Sequence, residues 1–319
     1  MTVQFFAESG VNIGHQSFPA HTRILGAAAS SIFVVGADGS LKAIHRNGTS
    51  QVLDANGQSV TAVTISRDGS HWAWGSSVQA NGETRVMVST AGEGSAPRVL
   101  LTQPLTKGPL RPFAWTAQGI YVNPLPMDAI GYFPFQGPVV LGLMKLANPG
   151  TGLATPVPGL QDCAFSDANN AGLIACYPAG PKPRVRLLHA QPTELTLATP
   201  RFNFVGDAYF SADGSLLTVG GATGVGMPEQ FSGGVPAKPE VYSVDLIRVN
   251  DESIWRFGPL GTRVAMGEES WLPDGKLVLW RPAGTAGGDP GLYVLDPSGT
   301  GQGPLIHTTG QPVGYLTSG

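Results

Sequence analysis

Charge is scarce in this chain. Only 13 % of its 319 residues are Asp, Glu, Lys or Arg, and the formal net charge is −3. An average soluble domain carries roughly 25 % charged residues. With 19 basic against 22 acidic side chains, there is no basic surface to hold nucleic acid or an anionic membrane. Long apolar runs are missing as well. The most apolar stretch, residues 138–147, already contains Lys145, so nothing reaches the length of a bilayer and no membrane insertion is expected. The first ten residues lack the positive and then apolar pattern of a secretory leader. Two cysteines are too few for a disulfide scaffold or a cysteine-rich zinc site. There is no Gly-x-Ser-x-Gly elbow and no phosphate loop ending in Gly-Lys-Ser/Thr, and the six histidines show no metal-ligand spacing.

Glycine and proline are plentiful: 44 and 27 residues, over a fifth of the chain. Both are poor in helix interiors, which excludes a helical bundle. Disorder is excluded by 42 % hydrophobic residues and little net charge to repel. A turn-rich all-β chain remains.

The turns repeat. Ile65-Ser66-Arg67-Asp68-Gly69, Phe210-Ser211-Ala212-Asp213-Gly214 and Trp271-Leu272-Pro273-Asp274-Gly275 each precede a second apolar run. Asp-Gly between β-prone runs is a hairpin signal, because glycine tolerates positive φ. Weaker copies end their first strands at Ala27, Trp115 and Phe165. The six markers are spaced 38, 50, 50, 45 and 61 residues apart, which suits four-stranded propeller blades. The expected fold is an all-β, six-bladed β-propeller of four-stranded antiparallel blades. Its blades are expected at about 20–57, 58–106, 107–158, 159–200, 201–260 and 261–310 within one domain. Val3 to Ala7 and Val313 to Leu316 are spare strands, either of which could close the ring.

The Ser-x-Asp-Gly turns, each after an apolar residue and before an apolar strand, resemble the repeats of the TolB-like six-bladed β-propellers. The resemblance covers roughly residues 20 to 310. It implies an architecture; the superfold hosts binding modules, lyases, lactonases and peptidase-associated domains, so activity must be argued from a site.

Three sets of residues are candidates for such a site. The long connections at about 123–138 and 220–239 lie on one face, and the first carries Tyr132, Phe133 and Phe135. Loops that long in a compact domain are commonly functional. Secondly, three residues before the markers in blades 4 to 6 stand Asp162, Asp207 and Glu268, near the start of the innermost strand. Converging carboxylates can hold a hard cation such as Ca²⁺ or sugar hydroxyls, or simply accept backbone N–H groups. Lastly, a blade-4 hairpin centred on Asn169-Asn170 sets Phe165 opposite Ile174 and Cys163 opposite Cys176. Directly opposed, non-hydrogen-bonded Cα atoms lie about 4.5 Å apart, within reach of a disulfide. The alternative is two buried thiols.

The expected function is non-catalytic binding of a protein or carbohydrate partner through the loop-rich face and channel mouth, with no cofactor. The alternative is a hydrolase or lyase at that mouth, acting on a lactone or carbohydrate with a divalent metal. A Cys163–Cys176 bridge would place the chain outside the cytoplasm, and free thiols inside it.

Overall fold

The computed structural model describes residues 2–6, 12–28, 31–45, 47–55, 60–78, 81–90, 96–124, 144–178, 184–188, 193–195, 204–223, 241–257, 271–272, 274–281, 290–297 and 301–307. Apart from one 3₁₀ turn at Leu105–Lys107, the regular structure among them is β-strand. The chain divides into two units. One comprises Met1–Asp128, Leu143–Val157 and Val313–Gly319, the other Ala129–Gly142 and Pro158–Pro312.

In the first unit, β1 (Thr2–Phe6) and β2 (Asn12–Ser17) form a hairpin. Three four-stranded antiparallel meanders follow. They are β3 (Arg23–Ala28) to β6 (Ser50–Asp54) through β4 (Ser31–Val35) and β5 (Leu41–His45). Next come β7 (Val60–Ile65), β8 (His71–Val78), β9 (Glu83–Thr90) and β10 (Arg98–Pro104). The third is β11 (Leu110–Thr116), β12 (Gly119–Pro124), β13 (Lys145–Ala147) and β14 (Ala154–Pro156). The second unit holds two more such sheets. One is β15 (Cys163–Ala168), β16 (Ile174–Pro178), β17 (Val185–Leu188) and β18 (Thr193–Leu195). The other is β19 (Phe204–Phe210), β20 (Leu216–Thr223), β21 (Val241–Arg248) and β22 (Ile254–Phe257). A three-stranded sheet of β23 (Leu277–Arg281), β24 (Gly291–Leu295) and β25 (Gly301–Ile306) follows, with Trp271 bridged to Leu277 beside it. The expected spare strand at Val3 is thus one arm of the β1–β2 hairpin, while residues 313–316 lie outside the described set.

These strands read as apolar runs because successive sheets within a unit bury both faces. Phe33, Val35 and Leu41 of the first sheet pack with Trp72 and Trp74 of the second. Ala175, Leu187 and Leu195 of the fourth pack with Phe210, Leu217 and Val219 of the fifth. Each large aliphatic or aromatic side chain among them contributes roughly 1.5–3 kcal/mol.

The Ser-x-Asp-Gly signal is a turn with its own capping. Ser66 N–H donates to the His71 carbonyl at 2.9 Å and Gly69 N–H to the Ser66 carbonyl at 2.7 Å. Gly69 has φ 71° and Gly214, its counterpart, φ 73°. At Gly214 a Cβ would also come within 2.9 Å of Asn169 Nδ2 of the preceding sheet. Glycine is therefore required there twice over, for the left-handed φ and for the close approach.

First strands of neighbouring sheets are tied edge to edge. Thr64 Oγ1 donates to the Phe113 carbonyl at 3.3 Å. In the equivalent place Asp167 Oδ2 accepts the Phe210 N–H at 2.8 Å. Just before it, Ser166 Oγ accepts the Ala208 N–H at 2.7 Å and donates to the Ala208 carbonyl at 2.9 Å. Each of the five complete sheets carries a register shift in its first strand, Ser166 being the residue bulged out in β15.

Candidate functional site

The structure sorts the expected site residues unevenly. Tyr132, Phe133, Phe135 and Glu268 lie outside the described residues. Asp207 falls in β19 at the register shift between Val205 and Ala208. Asp162 is exposed in the turn before β15, where Arg186 Nη1 donates to both its oxygens at 3.1 and 3.3 Å. Arg186 stands on β17 directly opposite Cys176. An exposed pair of this kind contributes little, about 0–1 kcal/mol.

The register removes Asp162 from the expected row. The turn of the fourth sheet opens at Asn169, whose N–H donates to the Leu173 carbonyl, as Ser66 and Ser211 open theirs. Ala168, not Phe165, is therefore the counterpart of Ile65 and Phe210, and Phe165, opposite Cys176, stands where Ala208 stands opposite Val219 in β19. The turn is one residue shorter than its neighbours and lies further along the chain than the Asn169-Asn170 centre implied. The cysteine register moves with it. Phe165 pairs with Cys176 and Cys163 with Pro178, so the cysteines are diagonal rather than directly opposed. They nevertheless form a disulfide, with Cα atoms 5.6 Å apart and both residues fully buried.

The turn carboxylates work as acceptors. Asp68 Oδ1 accepts from Ser66 Oγ at 2.5 Å, Ser70 Oγ at 2.7 Å and Ser70 N–H at 3.0 Å. These bonds, that of Ser66 foremost, hold the Asp68 carboxyl at about 2 instead of 3.8. Asp38, with Lys42 and Ser40, and Asp213, with Ser211, are lowered in the same way. Asp251 is lowered chiefly by Ser253. A depressed folded pKa means that stability is present above the unfolded pKa and lost as pH falls through the folded one. The contribution of Asp68 is thus complete above about pH 4 and disappears towards pH 2. Acid unfolding followed by circular dichroism should steepen in that window, and Asp68→Asn should flatten it there. An unchanged acid limb would contradict the assignment.

A different feature was not visible in the sequence. Ala28 pairs with Ser31 and Thr116 with Gly119, which makes Arg23 and Arg111 equivalent at the starts of β3 and β11. Both precede a register shift at the same place, Ile24/Gly26 and Pro112/Ala114. Arg23 Nη2 donates to the Val60 carbonyl at 3.1 Å, so it leans on the start of β7. The Arg111 guanidinium lies over the Phe113 ring, 5.2 Å from its centre. Directly opposite Arg111 stands Asn123, 2 % exposed, whose Oδ1 has no hydrogen-bond partner among the described residues. Beside Arg23, Thr22 is 6 % exposed and its Oγ1 is likewise unpartnered there. Unpaired buried acceptors are uncommon and costly. Two arginines 88 residues apart in sequence carry no spacing signal; only the strand register aligns them. Among the described residues, no group of three or more His, Cys, Asp or Glu is placed to hold a metal ion.

No family model matches the chain, and no curated protein matches it in sequence. Solved structures do. The chain aligns over 86 % of its length with 77 % of an oligogalacturonate lyase solved with manganese, at 12 % identity and a TM-score of 0.54. It aligns over 88 % with 83 % of the β-propeller domain of the trilobed protease from Pyrococcus furiosus, at 11 % identity and a TM-score of 0.53. The fold is a β-propeller. The propeller also aligns with TolB from Acinetobacter baumannii over 80 % of its own length and 59 % of that chain, at 14 % identity and a TM-score of 0.44. It spans 43 % of the length of a puromycin hydrolase that it matches at 14 % identity, over 84 % of its own length, with a TM-score of 0.48. At identities this low each likeness is one of fold.

Proposed function

We propose that this propeller is a non-catalytic binding module, taking a protein or carbohydrate partner at the end where the first strands begin and the long connections leave. In this reading residues 20–310 form six blades, and the chain works outside the cytoplasm, as the buried Cys163–Cys176 bridge favours. The observation that carries it is the pairing of Arg111 and Asn123 at the start of β11 and the end of β12. There a guanidinium stands opposite a buried, unpartnered acceptor. The unpartnered Asn123 oxygen is equipped to accept a hydrogen bond from a ligand. Tyr132, Phe133 and Phe135, which lie outside the described residues, are a separate candidate set for such a partner.

A second reading is a hydrolase or lyase acting on a lactone or carbohydrate, with Asp207 and Glu268 as ligands of a divalent cation or as general bases. Its support is the likeness to a lyase solved with manganese. Elemental analysis of the purified protein decides between them. We expect no stoichiometric divalent metal, and ligand binding unchanged in Asp207→Ala/Glu268→Ala. A stoichiometric metal that this double variant loses would overturn the binding-module reading in favour of the enzyme.

A further inference from the structure

We propose that Asn81 is a self-modification site. Its side chain reacts with the backbone nitrogen of Gly82 and becomes aspartate or isoaspartate, with water as the co-reactant, while the fold protects the same dipeptide at Asn47-Gly48. The reaction does not depend on what the propeller binds.

Asn-Gly occurs at 47–48, 56–57 and 81–82, and residues 56–57 lie outside the described set. The chemistry open to each is the same. The glycine nitrogen attacks the asparagine Cγ; an N–Cγ bond forms and the Cγ–Nδ2 bond breaks. The side-chain nitrogen leaves as ammonia, taking the proton of the glycine N–H. Water then opens the five-membered imide. Cleavage at Cγ gives aspartate, and cleavage at the backbone carbonyl carbon gives isoaspartate, in which the chain runs through the side chain. Glycine permits the attack because it has no Cβ to crowd its nitrogen. The two described sites differ in how firmly the reacting atoms are held. Asn47 Oδ1 accepts the Thr49 N–H at 3.0 Å and the Thr49 hydroxyl at 2.7 Å. The Gly48 N–H, the attacking group, donates to the His45 carbonyl at 2.8 Å. Those bonds must open before the nitrogen can reach Cγ. Asn81 and Gly82 are both exposed, and the Asn81 side chain has no hydrogen-bond partner among the described residues. Beyond its chain neighbours, nothing lies within 4 Å of where a Gly82 Cβ would stand, so water has access. The turn also carries a tie. The Gly82 carbonyl accepts the Leu105 N–H at 2.7 Å, at the head of the 3₁₀ turn that leads towards β11. Isoaspartate lengthens the backbone between residues 81 and 82 by one bond and so displaces that carbonyl. Either product adds a carboxylate close to Glu83, whose Oε2 accepts from Arg85 Nη2 at 2.8 Å.

Ageing of the full chain at mildly alkaline pH, followed by peptide mapping in a mass spectrometer, tests this. Each event adds about one dalton, and an isoaspartyl methyltransferase labels the isoaspartate. In the folded protein residue 81 should convert at least about fivefold faster than residue 47, because hydrogen bonds at 47 must first open. In urea the two rates should converge. Thr49→Val removes the hydroxyl bond to Asn47 Oδ1 and should speed conversion at 47 severalfold in the folded protein. Asn81→Gln should leave position 81 unmodified, since its longer side chain would need a six-membered ring. The Leu105 amide should exchange with solvent faster in the isoaspartate fraction than in fresh protein. Equal rates at 47 and 81 in the folded protein, no conversion at 81, or a gap that persists in urea would each overturn the proposal.

Discussion

Asp167→Ala should cost the fold about 3 kcal/mol, read as a lower urea midpoint with an unchanged slope. Asp167 is 2 % exposed. Its Oδ2 accepts the Phe210 N–H at 2.8 Å and its Oδ1 the Ala168 N–H at 2.7 Å. Hydrogen bonds to a charged acceptor contribute roughly 1.5–3 kcal/mol each, and a buried donor left without its acceptor carries a further penalty. Desolvation of the carboxylate opposes these gains, which keeps the net figure near the lower end. Asp167→Asn retains one carbonyl oxygen and turns an N–H₂ towards the other donor, so roughly half the loss is expected. The Phe210 amide should exchange with solvent faster in both variants, because this bond joins β15 to the first strand of the next sheet. A midpoint shift below about 1 kcal/mol for Asp167→Ala would show that the tie is not a main support.

Loss of the Cys163–Cys176 bond should destabilise by a similar amount. The cysteines are 13 residues apart in sequence. Cross-linking so short a loop removes about 3 kcal/mol of chain entropy from the unfolded state. The oxidised and reduced proteins should therefore differ in urea midpoint by that amount. Both cysteines are fully buried, so reductant should act slowly on the native chain and quickly once urea opens it. Denatured, unreduced protein treated with an alkylating reagent should remain unmodified at both positions. Alkylation of either cysteine under those conditions would refute the bridge.

Much of the architecture was legible because it is local. Asp68-Gly69 and Asp213-Gly214 specify their turns through positive φ at glycine and capping of nearby N–H groups by the Asp carboxylate. Neither requires knowledge of a distant residue. The fourth sheet shows where this fails. Asn169-Asn170 looks like a turn centre, yet Asn169 opens the turn, its Oδ1 accepting from the Ala171 and Leu173 N–H groups at 3.0 Å each. A bulge at Ser166 then changes the count again. The bulged Ser166 bonds the backbone of Ala208 in the next first strand, a relation that no single strand's pattern records. The cysteine pair survived that error because a disulfide spans diagonal as well as direct neighbours.

The candidate site was less legible for the same reason. A search for like residues at matched offsets finds carboxylates, and one of the three, Asp162, leaves the row once the register is known. Arg23 and Arg111 become equivalent only when each first strand is counted from its own turn through its own bulge. Nor can burial be read from the letter N at position 123; an unpartnered oxygen depends on what packs around it.

By itself, the sequence determined that this chain is all-β, turn-rich and built from repeated four-stranded units, because glycine, proline and Asp-Gly act within a few residues of themselves. Tertiary structure alone decided which side chains share a row and which buried groups lack partners. Those properties arise from register between strands and from packing between sheets, and both are relations among residues far apart in the chain.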